Sequence, residues 1–370
     1  MPALALPKTA AWLAELAGEP LPGRRQEDWR FTDLAPLQAV AAELWSGPDP
    51  FSQFSLPGGI SRIAPAQAQL LLDQGLQATG SSAAWPVRLN RGASPHFLAL
   101  RVSGSVEPLQ LTFDAAAGQG LLALQLLLVL EPGASLELLL HHGSRAANAT
   151  SLVTVAQLGQ GAKLNLGVLA PGDARASLLS HLAISQAPAS ELQLTTAVGG
   201  WALSRFEPRI CQSEGAALSR LRALQLVAGQ ELADTHSQVQ FNGPDGQLDQ
   251  LHKVVADGAG RSVFNGAVRV PRSAQRTNAA QLSRSLLLSD RARVDTKPEL
   301  EIVADDVKCA HGATVSRLQQ NELFYLQSRG IAADQASRLL LRGYCDEVLR
   351  ELPAAAASAH PLQLLLRERP

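Results

Sequence analysis

Aromatic side chains make up only 4% of the 370-residue sequence, although hydrophobic residues reach 46%. A large core must therefore be built mostly from Leu, Ala and Val. The sequence also lacks an excess of basic residues, because 32 Lys and Arg are balanced by 33 Asp and Glu. Without a general positive field, nucleic acid is not expected as a partner.

Cysteine is scarce and widely spaced. The three cysteines are Cys211, Cys309 and Cys345, and no C-x-x-C pair occurs. An odd, scattered set in a chain of this length does not predict disulfide bonds.

Long hydrophobic runs are missing. The longest strongly apolar run, Leu121–Leu130, is too short to cross a bilayer, and the N-terminus lacks the regions of a signal peptide. We therefore expect a soluble, cytoplasmic protein that does not bind membranes. A phosphate-binding G-x-x-x-x-G-K-[ST] loop is absent too, so the chain is predicted to have no ATPase site of its own.

The middle of the sequence contains an internal repeat. Pairs of small turn residues recur roughly every 27–31 residues, and alternating apolar strands follow several of them. This pattern predicts a mainly β protein and favours a parallel β-helix, with a β-sandwich as the alternative. The turn pairs are Gly104-Ser105, Gly133-Ala134, Gly161-Ala162, Pro188-Ala189, Gly215-Ala216, Asp245-Gly246 and Ser273-Ala274.

Helical patterns flank this core. We predict an N-terminal helical region and connector at 1–95, a β-helix core at 96–316 and a C-terminal helical domain at 317–370. The connector is expected to hold one short helix, near 66–76. Two adjacent helices after 317 either close the open end of the β-helix or form a docking module, and a weakly held helix is expected at 362–369.

The least ordinary residues lie in the segment 295–315, DTKPELEIVADDVKCAHGATV. In an extended strand, Cys309 and His311 share one face, and a thiolate with an imidazole can hold iron, zinc or copper. Two ligands cannot complete a four-coordinate site, so further ligands must come from elsewhere. The alternatives are plain packing and a Cys–His nucleophile pair. His236 is a weaker candidate, because coils of a solenoid can bring distant strands together.

Two segments resemble known signatures. TKPELEIVADDVKCAHGATV, followed by ELFYLQSRGI, resembles the C-terminal signature of SufD, in the SufB/SufD family of the SUF iron–sulfur cluster assembly system. The segment 22–34, PGRRQEDWRFTDL, resembles the N-terminal signature of the same family, and its bottom-up interpretation is packing of Trp29 and Phe31. The resemblance implies a right-handed parallel β-helix.

The resemblance also implies a function. A SufD-type chain is a non-catalytic scaffold that pairs with SufB through the β-helix and recruits the ATPase SufC; for the isolated chain, a homodimer is the alternative to a monomer. No cofactor is expected to stay on the isolated chain, and a transient iron–sulfur cluster at the SufB interface is expected to use His311, with Cys309 as the weaker candidate. The residues expected to bind SufC are Leu323, Phe324, Tyr325, Arg329, Gly330, Leu339, Leu340 and Tyr344.

Two other functions are considered. A SufB-type paralogue would be longer and would carry a cysteine in the strand at 281–290, which here reads QLSRSLLLSD. A remote alternative is a β-helix carbohydrate-active enzyme, such as a polysaccharide lyase. That class needs carboxylates, Lys or Arg aligned in a groove, and the sequence shows no acidic cluster in its strands.

Overall fold

Each predicted repeat is one coil of a parallel β-helix with about eight turns. The structure is a computed structural model that describes residues 8–52, 55–114 and 118–366. Its strands are β1 (Ile60–Arg62), β2 (His96–Val102), β3 (Leu109–Asp114), β4 (Gly120–Leu130), β5 (Ser135–Gly143), β6 (Asn148–Leu158), β7 (Lys163–Pro171), β8 (Ser177–Gln186), β9 (Glu191–Gly199), β10 (Leu203–Gln212), β11 (Leu218–Val227), β12 (Leu232–Phe241), β13 (Gln247–Ala256), β14 (Arg261–Val270), β15 (Asn278–Leu287), β16 (Arg293–Ile302) and β17 (Lys308–Ser316).

The strands form two sheets, and each coil adds one strand to each of them. The first sheet has the order β1-β2-β4-β6-β8-β10-β12-β14-β16, and the second has the order β17-β15-β13-β11-β9-β7-β5-β3. Every pairing is parallel except that of β1 with β2. The inward side chains of both sheets meet in one continuous core that is mostly Leu, Val and Ala, as the composition predicts.

The repeat of turn residues in the sequence comes from one turn position that recurs in successive coils. At this position the backbone has positive φ in successive coils, and its N–H donates to a carbonyl of the next coil, as in Gly133 to Gln160 at 2.8 Å. Glycine adopts positive φ without strain, and Asp tolerates it better than most residues. The ladder of stacked turns therefore sets the length of a coil. Its members are Gly133, Gly161, Ala189, Ala216, Asp245 and Arg276.

Helices cover both flanks of the coil stack. They are α1 (Lys8–Ala17), α2 (Ala35–Gln38), α3 (Pro65–Ala78), α4 (Trp85–Gly92), α5 (Gln320–Ser328), α6 (Ala333–Leu349) and α7 (Pro361–Leu366), with 3-10 helices at Glu27–Trp29 and Ala354–Ala359. None of the helices in the described ranges combines the length and the apolar character that a membrane crossing requires.

The prediction of one short helix in the connector was wrong, because α4 follows α3. Trp85 and Leu89, one turn apart on α4, are buried with Leu13 of α1 in one cluster. A helix of 8 residues has little stability of its own, so tertiary packing forms it. The short sequence pattern did not reveal that packing.

The C-terminal helices do not close the end of the β-helix. Val348 of α6 and Leu365 of α7 pack on outward side chains of the second sheet, including Leu224 and Leu251. The interpretation of these helices as an end cap is therefore wrong, because their apolar face covers the flank of the coils. Residues 367–369 of the predicted tail helix lie outside the described residues.

Candidate functional site

The last coil of the β-helix is left uncovered by the described part of the chain. β16 and β17 are the outer strands of the two sheets at this end. Ile302 and Val315 are 40% and 52% exposed, whereas their register partners one coil earlier, Val270 and Ser285, are 0% and 1% exposed. An exposed strand edge with apolar side chains is a template for pairing with another chain. We call β16 and β17 together the open coil.

Cys309 and His311 both belong to β17 of the open coil. Their register partners on β15 are Ala279 and Gln281, which are both buried. Cys309 is half-buried and packs against the continuous core, while His311 is exposed. The two residues therefore lie on the inward-facing line of β17, as the spacing predicts, at a place where the next coil would lie.

Burial raises the pKa of the Cys309 thiol, and a hydrogen bond with the Ala279 backbone only partly opposes this shift. The thiol is consequently protonated at neutral pH and is a poor nucleophile in the isolated chain. This protonation state disfavours the Cys–His nucleophile hypothesis. A metal could still displace the proton, because metal binding and thiol deprotonation are coupled.

A complete metal site is not present among the described residues, since no group of three or more His, Cys, Asp or Glu side chains is close enough to hold an ion. Cys309 and His311 are thus at most part of a ligand set. Any metal bound at the open coil needs ligands from a second molecule or from the metal's own sulfides and waters.

The eight residues expected to bind an ATPase partner separate into two groups. Phe324 and Tyr325 of α5 and Leu339 of α6 are 72%, 58% and 51% exposed, while Leu323 and Leu340 are half-buried. Arg329 and Gly330, both exposed, follow α5, with the Arg329 guanidinium 5.4 Å from the Tyr325 ring. These residues are accessible to a partner.

Tyr344 has a different position, because it attaches α6 to the β-helix. Its hydroxyl donates to the Arg284 carbonyl of β15 at 2.7 Å, and its own carbonyl accepts from Lys253 of β13 at 2.7 Å. The Lys253 ammonium is nearly buried, lies 3.8 Å from the centre of the Tyr344 ring and also bonds Glu347. α6 is therefore fixed to β13 and β15, and β15 is the strand that pairs with β17.

A buried ionic network on the first sheet was not found from the sequence. Arg205 of β10 lies between Glu207 and Asp234, and all three are at most 3% exposed. Burial alone would raise the pKa of both carboxyls, but the Arg205 guanidinium holds the pKa of Asp234 below its usual range and that of Glu207 well below it. His181 bonds Glu207 at 3.1 Å, so the network crosses three coils.

This network fixes the segment 22–34, which carries the N-terminal signature, to the first sheet. The Trp29 ring lies 3.8 Å from the Arg205 guanidinium, and the Thr32 hydroxyl donates to Asp234. Trp29 is buried and meets Trp85 edge-on, so its predicted packing role fits the structure. His236, flagged as a metal candidate, is instead paired with Asp234 at 3.1 Å. The sequence feature that could have revealed the network is the 29-residue spacing of Arg205 and Asp234, which equals the length of one coil.

Comparisons with known proteins agree with this architecture. Residues 113–344 match the family described as SUF system FeS cluster assembly, SufBD core domain. An iron-sulfur cluster assembly SufBD family protein from Synechocystis is 32% identical, over 91% of this chain and 85% of its own length.

Matches to two further relatives are shorter. The iron-sulfur cluster assembly protein SufD of Escherichia coli is 39% identical over 36% of this chain, and Protein ABCI7, chloroplastic, of Arabidopsis thaliana is 42% identical over 46% of it. The matched parts span 31% and 36% of those two proteins.

Proposed function

This chain belongs to the SufBD family of SUF iron–sulfur cluster assembly proteins, and we propose that it is a SufD-type scaffold subunit without catalytic activity of its own. In this role it pairs with a SufB-type protein through the open coil and recruits a SufC-type ATPase through α5 and α6. The iron–sulfur cluster is the cargo of the complex. The observation that carries the proposal is His311 on an uncovered coil, with too few neighbouring ligands among the described residues to bind a metal alone.

The SufD-type assignment, rather than a SufB-type one, is supported by the cysteine content. The segment 281–290 lacks cysteine, and of the three cysteines in the sequence only Cys309 lies on the open coil. Cys211 and Cys345 are buried elsewhere. A chain of this composition supplies an imidazole and at most one thiol, so the partner must supply the remaining protein ligands.

Pairing would extend both sheets by one strand of the partner. The unpaired backbone groups of β16 and β17 would then gain hydrogen bonds, and the exposed part of Ile302 and Val315 would leave water. His311 would lie at the boundary between the two chains. A neutral imidazole binds iron less firmly than a set of thiolates, which suits a cluster that must leave.

The exposed apolar side chains of α5 and α6 support an ATPase docking role. Aromatic residues are enriched in protein interfaces, and here Phe324 and Tyr325, both more than half exposed, lie on α5, which contacts α6, the helix that Tyr344 fixes to the coils. Movement of α6 would therefore act on β13 and β15. This gives nucleotide-driven motion of a partner a route to the strand next to β17.

A carbohydrate-active enzyme remains disfavoured. The buried charged side chains that align across coils, Arg205, Glu207 and Asp234, lie beneath the segment containing Trp29 and are closed to a polymeric substrate. No specific observation supports this alternative.

The test uses the full chain purified together with its SufB-type and SufC-type partners. We expect His311→Ala to leave complex assembly and ATP hydrolysis unchanged and to lower the iron content of the complex strongly, because the exposed imidazole has little packing to lose. His360→Ala, at an exposed histidine outside the open coil, is the matched control. Iron content equal to wild type in His311→Ala would contradict the proposed function.

A further inference from the structure

The interior of the β-helix becomes polar toward the open coil. Near the N-terminal end the inward positions are Leu, as along β4, whereas the last coils carry buried amides and hydroxyls. Among these are Ser237, Gln250 and Gln281, which are at most 5% exposed. A buried amide is costly unless its donors and acceptors are paired, so the partners of these groups can be followed one by one.

The amides form a directional ladder. Gln281 Nε2 donates to Gln250 Oε1 at 2.9 Å, and Gln250 Nε2 donates to Ser237 Oγ at 2.8 Å. Gln281 thus donates to the preceding coil, away from the open coil, and Gln250 donates across the interior to the strand before its own. The acceptor left over is Gln281 Oε1, which is buried and has no hydrogen-bond partner in the described structure.

The next residue along this line is His311. Gln281 and Gln250 are register partners, and so are His311 and Gln281. Because in-register neighbours in a parallel sheet point to the same face, the His311 side chain is the next one stacked on Gln281. The ladder therefore ends with an unused carbonyl oxygen beside the strand that carries the proposed cluster ligand.

The opposite wall leaves space for this amide. Gly266 of β14 lies across the interior, and a Cβ at that position would come within 2.4 Å of Gln281 Nε2. The Gln281 amide is thus held between Gln250 and Gly266. Few alternative positions remain for it, so Gln250 of the preceding coil and Gly266 of its own coil fix the direction of its Oε1.

Resting on the proposed function, we propose that Gln281 is a positioning residue for His311. When the partner covers the open coil, Gln281 Oε1 accepts a hydrogen bond from one ring N–H of His311. This bond selects one tautomer and one ring orientation and directs the other ring nitrogen at the iron of the nascent cluster. Metal-binding histidines commonly donate their second N–H to such an oxygen.

The test compares complexes of the full chain with its SufB-type and SufC-type partners. Gln281→Met keeps the length of the side chain and removes the carbonyl oxygen, and we expect about a 10-fold loss of cluster iron. Gln281→Glu, protonated in this buried setting, keeps a donor and an acceptor and should restore iron to within about 3-fold of wild type. Gln225→Met is the matched control, because Gln225 is an equally buried interior amide on β11, bonded to Thr235 and Ser262.

A spectroscopic readout separates positioning from a merely structural role. With ¹⁵N-histidine in this chain only, pulsed EPR of the reduced cluster should show a nitrogen coupling in wild type and Gln225→Met. The coupling should vanish in His311→Ala and become weak or heterogeneous in Gln281→Met. Should Gln281→Met fail to assemble, Gln281→Asn, which withdraws the oxygen by one methylene, is expected to give the same loss.

The outcomes distinguish the two proposals. If His311→Ala loses iron and the coupling while Gln281→Met matches wild type in both, the inference about Gln281 is wrong and the proposed function stands. If His311→Ala itself keeps both, the proposed function is wrong, and the role of Gln281 falls with it.

Discussion

Phe51 at the N-terminal end of the β-helix is 2% exposed and meets Phe113 edge-on, whereas Ile302 and Val315 at the C-terminal end are 40% and 52% exposed. The first end is covered by its own chain, because Phe51 and Ile60 enter the core and β1 pairs with the edge of β2. The second end has inward residues without a covering coil in the described structure. A solenoid needs a cap at each end, and in the proposed function a SufB-type partner provides the cap at the open coil.

The largest expected effect is on the free energy of unfolding, and it differs between the two ends. Phe51→Ala removes a buried ring at the closed end and should lower the free energy of unfolding by about 3–5 kcal/mol. Val315→Ala, at the half-exposed position of the open end, should change it by less than about 0.5 kcal/mol. Chemical denaturation of the full chain measures both values. Equal losses would show that the ends are equally covered.

The next effect concerns binding rather than stability, and here the open end is expected to be the more sensitive one. Val315→Asp should leave the isolated chain folded and weaken its binding to a SufB-type partner by about 30-fold or more, since pairing would bury an uncompensated carboxylate. Leu70→Asp on α3, at a leucine that is 58% exposed, is the control for adding a charge. Calorimetric titration gives the dissociation constants. Unchanged affinity in Val315→Asp would exclude the open coil as the interface.

The smallest effect, counted per pH unit, compares two buried histidines of the interior. Burial lowers the pKa of His142 and of His252 to about 3 from an ordinary value of 6.5. In this window the unfolded chain binds more protons than the folded one, so stability falls as the pH falls from 6.5 toward 3. Each histidine contributes up to about 1.4 kcal/mol per pH unit.

Single substitutions assign these contributions. His142→Leu and His252→Leu should each flatten the dependence of the unfolding free energy on pH, and denaturation series between about pH 4 and 7 measure this dependence. His142 lies nearer to the closed end and His252 nearer to the open coil. A flattened slope for His142→Leu alone would mean that water reaches the interior near the open coil.

Much of the fold could be predicted because one coil obeys local rules. Small residues indicate turns with positive φ, and alternation of apolar and polar residues indicates strands with one face toward the core. Turns such as Gly133 and Gly161 could therefore be predicted from the sequence. The common face of Cys309 and His311 follows from the same alternation. The residues that lie next to Cys309 and His311 on the neighbouring coil follow from the length of one repeat.

The remaining features depend on contacts between distant segments. Lys253 and Tyr344 are 91 residues apart, and no local pattern indicates that a lysine on a strand attaches a helix. Of the two alternatives for the helices after residue 317, the end cap is therefore the one that the structure contradicts. The ionic network of Arg205 was missed because outward polar residues of a strand normally face water.

Hydrogen–deuterium exchange of β17 tests most directly whether the open coil is the partner-binding surface. At a concentration where the full chain is monomeric, the β17 amides that face away from β15 should exchange fast, because they belong to the outer edge of the sheet. With a SufB-type partner bound, we predict strong protection across β16 and β17. A stable complex in which these strands exchange as fast as before, with protection appearing elsewhere, would contradict the proposed interface.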